Sequence, residues 1–407
     1  MRTSCKSNLK ILNTDIPHIR CSDSSVHYIC EMEYTDENID VKQYETCYRT
    51  CYSYDEVMLK HCNIFEEHPE KPERIARTYE RFEELNLSTR CSRVKSRMAT
   101  DKELLTVHSE EYIEKISKLD HCADEELKSK AEEYDSIYFS NYANECARMA
   151  VGCTLAVLDN VLAEKFRNGV AIIRPPGHHA EHEFSMGYCY FNNVAIAAKI
   201  AQKKWNIKRV LIVDWDIHHG NGIQHAFQSD PSVLYFSIHR YDHGRYWPEK
   251  EYSNFDFVGK DEGKGFNVNV AWNKTHMNDA DYIAVFQRIL LPVAYEFCPE
   301  LVLISGGFDS ARGDPKGLCD VTPEGFAHLT HMLMSLAGGK VVLALEGGYN
   351  LTSVAESFCS CASTLLGDPC PLLEPLSVSD SALDSISSTV GVHSQYWRNL
   401  KQHDAES

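Results

Sequence analysis

A mainly parallel α/β sheet flanked by helices on both faces is the fold class this sequence predicts, on three observations. Short apolar runs at 170–173, 210–213, 301–304 and 341–345 read as buried strands, since parallel strands covered on both faces are apolar almost throughout. Segments of helical period alternate with them, which implies right-handed crossovers. Each run also leads straight into polar residues: Arg174-Pro-Pro-Gly-His178-His179, Asp214-Trp-Asp216-Ile-His218-His219, Gly307-Phe-Asp309 and Glu346-Gly-Gly-Tyr349. In an open parallel sheet that C-terminal edge is where ligands bind.

Residues 1–55 lack sustained periodicity and read as an irregular leader containing Cys21, Cys30, Cys47 and Cys51. A core domain is expected over 56–375. Pro72 suits the first turn of a helix over 72–85, carrying Ile75, Tyr79, Phe82 and Leu85. Helices follow over 110–119 and 143–166. Then come the strand 170–173, a helix 192–204, the strand 210–213, a short helix 222–227 and strands at 232–238 and 266–270. A long helix 280–297 leads to the strand 301–304, a helix 323–336 leads to the strand 341–345, and a helix 352–366 closes the domain. Pro369 to Pro375 ends it, and a Ser- and Asp-rich tail (376–407) carries Tyr396-Trp397, expected to dock back. No internal repeat is visible.

The 407 residues suffice for one large α/β domain, with 43% hydrophobic and 25% charged residues typical of a soluble protein. No run approaches the ~20 apolar residues of a membrane span, and no apolar stretch behind Met1 marks a secretory signal. The expected location is cytoplasmic, with the nucleus as an alternative. A net charge of -18 argues against direct nucleic-acid binding. It suits basic peptide substrates, although solubility alone also accounts for it. The sixteen cysteines lack regular spacing, and Cys153, Cys298 and Cys359 lie in apolar or helical runs, so reduced, mostly buried thiols are expected. The leader has no paired Cys/His spacing for a zinc knuckle.

Asp216 and His218, two apart in an extended segment, project to the same side and can share a metal. Asp309 completes a three-ligand set that leaves a position open, as in catalytic zinc sites; Fe(II) and Co(II) also suit these donors. The competing reading makes Asp214, Asp216 and Asp309 caps or turn residues, but unpaired charges at a buried strand end are costly. Tandem histidines beside a metal supply the base and acid that amide hydrolysis needs, with Asp214 and Asn221 as orienting partners. His219 reads as structural. Tyr349 presents a phenol suited to donating to an oxyanion.

These motifs, with Val107-His-Ser-Glu-Glu-Tyr112 and Ser237-Ile-His-Arg-Tyr241, resemble a zinc-dependent histone deacetylase of class IIb from about His68 to Leu373. Within that class the pattern is most similar to the first catalytic domain of histone deacetylase 6, the tubulin deacetylase. The resemblance implies the arginase–deacetylase fold, with one catalytic Zn2+ on Asp216, His218 and Asp309. It makes His179 the general base and acid, His178 an electrostatic contributor, and Asp214 and Asn221 their partners. Tyr349 polarises the acetyl carbonyl. It also implies one or two structural K+ ions, one near Asp214, Ser237 and the backbone of Asp216, His218 and Ile238, the other near the backbone of Phe227, Asp230, Val233 and Phe266.

By the same resemblance, Tyr188 and Trp247 form a slot whose ring faces bury a lysine stem. Gly187 lets backbone approach the acetyl methyl, and Ser136 accepts the substrate backbone N–H. Lys316 matches a gatekeeper position that is glutamate in acetylpolyamine deacetylases of the class. A lysine there repels a polyamine and attracts a carboxylate, favouring C-terminal acetyl-lysine or acidic flanks. The expected function is hydrolysis of N-ε-acetyl-lysine in proteins such as tubulin, histone tails or chaperones, by a monomer without nucleic-acid or membrane partners. Acetylpolyamine hydrolysis and a non-catalytic acyl-lysine scaffold are the alternatives. A two-metal ureohydrolase needs more bridging aspartates. Neither a second catalytic domain nor the tubulin deacetylase's ubiquitin-binding finger is visible.

Overall fold

Eight strands form one sheet in a computed structural model that describes residues 50–375 and 377–401. They are β1 (Thr50–Ser53), β2 (Ser92–Arg93), β3 (Asn168–Ala171), β4 (Val210–Asp214), β5 (Val233–Arg240), β6 (Asn267–Trp272), β7 (Leu301–Gly306) and β8 (Val341–Leu345). Their order is β2-β1-β3-β8-β7-β4-β5-β6, and every pairing is parallel. The four strands that lead into the polar motifs, β3, β8, β7 and β4, are therefore consecutive neighbours. Their C-terminal ends stand side by side.

Two helical layers flank the sheet. Glu73–Glu84, Pro323–Leu333 and Leu351–Leu366 pack together in one, and Ala143–Leu162 and Asn193–Trp205 in the other. Local chemistry sets their ends. Asn192 and Asn350 accept N–H bonds from the first turns of their helices, and Thr322 caps a helix with Pro323 at its first position. Val210, Leu211, Ile212 and Val213 are fully buried in β4. Each such side chain stabilises the fold by about 1.5–3 kcal/mol relative to exposure.

The structure departs from the sequence reading in several places. Thr50–Ser53, in the segment expected to be irregular, is a buried strand between β2 and β3; four residues are too few to display a period. The remainder of the leader, 1–49, lies outside the described residues. β3 starts and stops two residues earlier than expected, ahead of the Arg174-Pro175 turn. The helix expected at 280–297 is broken by a π turn over Phe286–Leu290. Pro292 has no N–H to give its ladder, and a local widening accommodates that loss. Cys298 ends this helix in a left-handed turn and is exposed, not buried. All twelve described cysteines are free thiols.

The tail holds a helix, Asp380–His393, capped by Ser379. Ser385 and Thr389 donate to the carbonyls of Ala271 and Asn269 on the outermost strand, β6. Trp397 is buried, and its indole donates to the Gly265 carbonyl at 2.9 Å.

A buried ionic cluster braces the floor behind the strand ends. Arg174 grips both oxygens of Glu70 at 2.8 and 2.6 Å and donates to the carbonyls of Met58 and His61. Arg74 donates to Glu70 at 3.1 Å and to the carbonyls of Gly348 (2.6 Å) and Glu346. Burial would raise the Glu70 carboxyl, but Arg174 and Arg74 outweigh it and hold the group well below the usual carboxylate range. Folded Glu70 therefore holds its proton more weakly than the unfolded chain does. Its contribution is complete above the ordinary value of 4.5 and is lost as pH falls below it. Glu70→Gln is expected to cost about 3–5 kcal/mol, because it strands buried guanidinium charge. Its stability should also fall less steeply with acid than the wild type's in denaturant titrations from neutral pH down past the carboxylate range.

Candidate active site

Asp216 and His218 lie just beyond β4 in a bend, not in the extended segment expected. They still converge, because Asp216 Oδ1 accepts the His218 N–H (2.9 Å) and lies 3.1 Å from its ring Nδ1. Asp309, from the end of β7, places Oδ2 at 3.0 Å from the same Nδ1. One donor atom from each of the three lies within 4.8 Å of the others. Asp309 Oδ2 is buried and makes no hydrogen bond, the condition of an oxygen shaped for a cation. A Cβ on Gly347 would sit 2.4 Å from Asp216 Oδ2 and 2.6 Å from Asp309 Oδ2, so glycine keeps that space open. Two carboxylates and one imidazole, with an unsatisfied buried oxygen, fit a divalent metal. His178, Cys189 and Glu346 also converge. There, however, Glu346 is already satisfied by the N–H groups of Gly177 (2.6 Å) and His178 (3.2 Å) and by the Ser305 hydroxyl.

The tandem histidines stand beside this trio. His178 Nδ1 meets Asp214 Oδ2 at 3.1 Å, and its Nε2 is 3.7 Å from Asp216. Asp214 also accepts the Tyr235 hydroxyl at 3.0 Å. His179 Nδ1 lies 2.8 Å from Asn221 Oδ1. The Asn221 amide nitrogen donates to the His179 carbonyl (3.2 Å) and to Glu181 (2.6 Å), which fixes its orientation. Its oxygen can only accept, so His179 carries its proton on Nδ1 and leaves Nε2 as a lone pair. Burial, then the neighbouring His178 and His218, push the His179 pKa well below the usual imidazole value. His179 is thus a neutral base at neutral pH. His219 bonds Gln224 and Ser253 within the core and is structural.

Tyr349 stands on a loop pinned from two sides. Arg74 holds the Glu346 and Gly348 carbonyls from behind. In front, Asp314 accepts the N–H groups of Tyr349 (2.7 Å) and Asn350 (3.2 Å) on one oxygen and those of Lys316 (2.8 Å) and Gly317 (3.2 Å) on the other. Burial, then Asp309 and Asp216, push the phenol pKa well above 10, so it stays a proton donor. Sequence reasoning assigned no role to Arg74 or Asp314. Arg74 lies in the Pro-Glu-Arg run read only as a helix start. Asp314 stands in an Asp-Pro-Lys-Gly run that shows nothing locally of the four N–H groups it gathers.

Above the trio, the Trp247 ring meets His179 edge-on at 4.6 Å between centroids, and Tyr188 meets Tyr349 at 6.0 Å. Gly187 has φ +55, and a Cβ there would lie 2.5 Å from both His179 and Trp247. Ser136, exposed at the mouth, uses its carbonyl to accept the Tyr188 N–H at 2.8 Å. Lys316 places Nζ 3.1 Å from the Tyr188 hydroxyl, and 5.3 Å from the Tyr349 ring centre. Of the groups considered for potassium, Asp214 and Ser237 are register partners across β4 and β5, with Ile238 next along the strand. The carbonyls of Phe227, Asp230 and Phe266 accept the N–H groups of Asp230, Val233 and Tyr235, so these residues gather where β5 begins.

The parallel sheet thus brings an Asp-His-Asp trio, paired histidines and a phenol together at one edge. Residues 68–365 match the histone deacetylase domain, and the chain belongs to the histone deacetylase family. Its relatives place it with class IIb. Over 339 residues it is 50% identical to the polyamine deacetylase HDAC10 of Danio rerio, covering 83% of this chain and 50% of that protein. It is 42% identical over 359 residues to the histone deacetylase clr3 of Schizosaccharomyces pombe, covering 86% and 52%. The crystal structure of the HDA15 HD domain superposes with a TM-score of 0.81 at 37% identity, covering 87% of this chain and 96% of that one. The chain spans about half the length of the curated relatives it matches.

Proposed function

We propose that this chain hydrolyses N-ε-acetyl-lysine in proteins or peptides, releasing lysine and acetate. Asp216, His218 and Asp309 would hold the family's zinc, which when bound polarises the acyl carbonyl and acidifies water. His179 takes a proton from water through its free Nε2 and returns it to the departing amine. The Tyr349 phenol donates to the developing oxyanion. His178, tied to Asp214, contributes its field. Potassium near Asp214 and Ser237 and at the start of β5 is part of the same proposal, resting on the family resemblance and on the neighbouring positions of these residues.

The observation that favours a protein substrate is the Lys316 ammonium at the channel mouth. A fixed cation there opposes the charged chain of a polyamine and complements the carboxylate of a C-terminal acetyl-lysine or of acidic flanks. Acetylpolyamine hydrolysis is the second reading, favoured by the 50% identity to a polyamine deacetylase. It is also favoured by Glu66, Glu67 and Glu73 around a cavity of about 690 Å³ that reaches Tyr349. Comparing kcat/KM for acetylspermidine and an acetyl-lysine peptide decides between them. The peptide should be preferred, and Lys316→Glu should shift the ratio toward acetylspermidine by roughly tenfold or more. A wild-type preference for acetylspermidine would reverse the assignment.

A further inference from the structure

We infer that Asp135 is a positioning residue that fastens the two walls of the acyl channel together through the indole of Trp247. The inference rests on the acyl-lysine reading of the channel given above. Trp247 Nε1 donates to the Asp135 carboxylate, lying 3.1 Å from each oxygen. The Asp135 carbonyl accepts the Gly187 N–H at 3.1 Å, and the next carbonyl, that of Ser136, accepts the Tyr188 N–H at 2.8 Å. One dipeptide thus holds the Trp247 side chain on one side and the Gly187-Tyr188 backbone on the other.

These pieces come from loops far apart in the chain, and no helix or strand fixes their spacing. Ser136, Gly187 and Tyr188 all have left-handed φ (54, 55 and 66), conformations that persist in non-glycine residues only when the surroundings impose them. The indole also bears directly on the chemistry, since its ring abuts His179 and leaves room only for a hydrogen at Gly187. A phenyl ring could line the slot equally well, but it offers no N–H. The carboxylate–indole bond is a charge-assisted contact that fixes the tilt of the wall before substrate arrives. Releasing it transfers the cost of ordering the ring to the binding step, so KM should rise while kcat changes little.

The test measures KM and kcat on an acetyl-lysine peptide for Asp135→Ala, Asp135→Asn, Trp247→Phe and the Asp135→Ala/Trp247→Phe pair. Asp135→Ala should raise KM by about five- to tenfold. Asp135→Asn should recover most of the loss, because its amide oxygen still accepts the indole N–H. Adding Asp135→Ala to Trp247→Phe should raise KM no further. An undiminished effect of Asp135→Ala in the Trp247→Phe background would overturn the inference and make Asp135 a direct substrate contact. A readout without turnover is the indole N–H resonance of Trp247, assigned by its loss in Trp247→Phe. It should move in Asp135→Ala, and an unmoved resonance also overturns the inference. If that resonance moves while the wild type hydrolyses no acetyl-lysine, the proposed reaction fails and the tether stands.

Discussion

His179→Ala is expected to lower kcat by about two to four orders of magnitude while the protein still folds and binds metal. The expectation follows from the Asn221 amide. Its nitrogen is committed to the acceptors around it, so its oxygen forces the His179 proton onto Nδ1 and frees Nε2. Asn221→Ala would release that constraint and should reproduce part of the loss. Single-turnover rates, measured beside circular dichroism and metal content, separate the loss of a base from a loss of structure. A His179→Ala variant with wild-type kcat would remove this residue from proton transfer.

Tyr349→Phe should be nearly as severe, lowering kcat by about 10²–10³ with zinc still bound, the usual consequence of removing one oxyanion donor. The change deletes only the hydroxyl. The ring contacts with Tyr188 and Arg74 survive, and the backbone bonds from Tyr349 and Asn350 to Asp314 are untouched. Stability should therefore stay close to wild type. Wild-type turnover by Tyr349→Phe would defeat the assigned role.

The site's principal donors were legible because a parallel sheet couples sequence to place. A buried apolar strand followed at once by His-His, Asp-x-His, Phe-Asp or Gly-Gly-Tyr delivers those groups to one edge, whatever the strand order. The strand order itself, with β3, β8, β7 and β4 adjacent, was not legible, since nothing local records which strands pair. The supports were invisible for a related reason. Arg74 reaches the Gly348 carbonyl across 274 residues of chain, and Arg174 reaches Glu70 across 104. Such bonds join backbone or lone ionic groups and leave no periodic trace. The strand β1 was missed because its neighbours, not its four residues, define it. The π turn at Phe286–Leu290 keeps the apolar pattern of an α-helix, so the periodicity does not reveal it.

Asp216, His218 and Asp309 should together build a single divalent-metal site. Elemental analysis of the purified wild type beside Asp309→Ala tests it most directly. About one zinc per wild-type chain is expected, with little or none in Asp309→Ala after dialysis against a weak chelator. Full zinc occupancy in Asp309→Ala, or an active wild type holding no divalent metal, would contradict it.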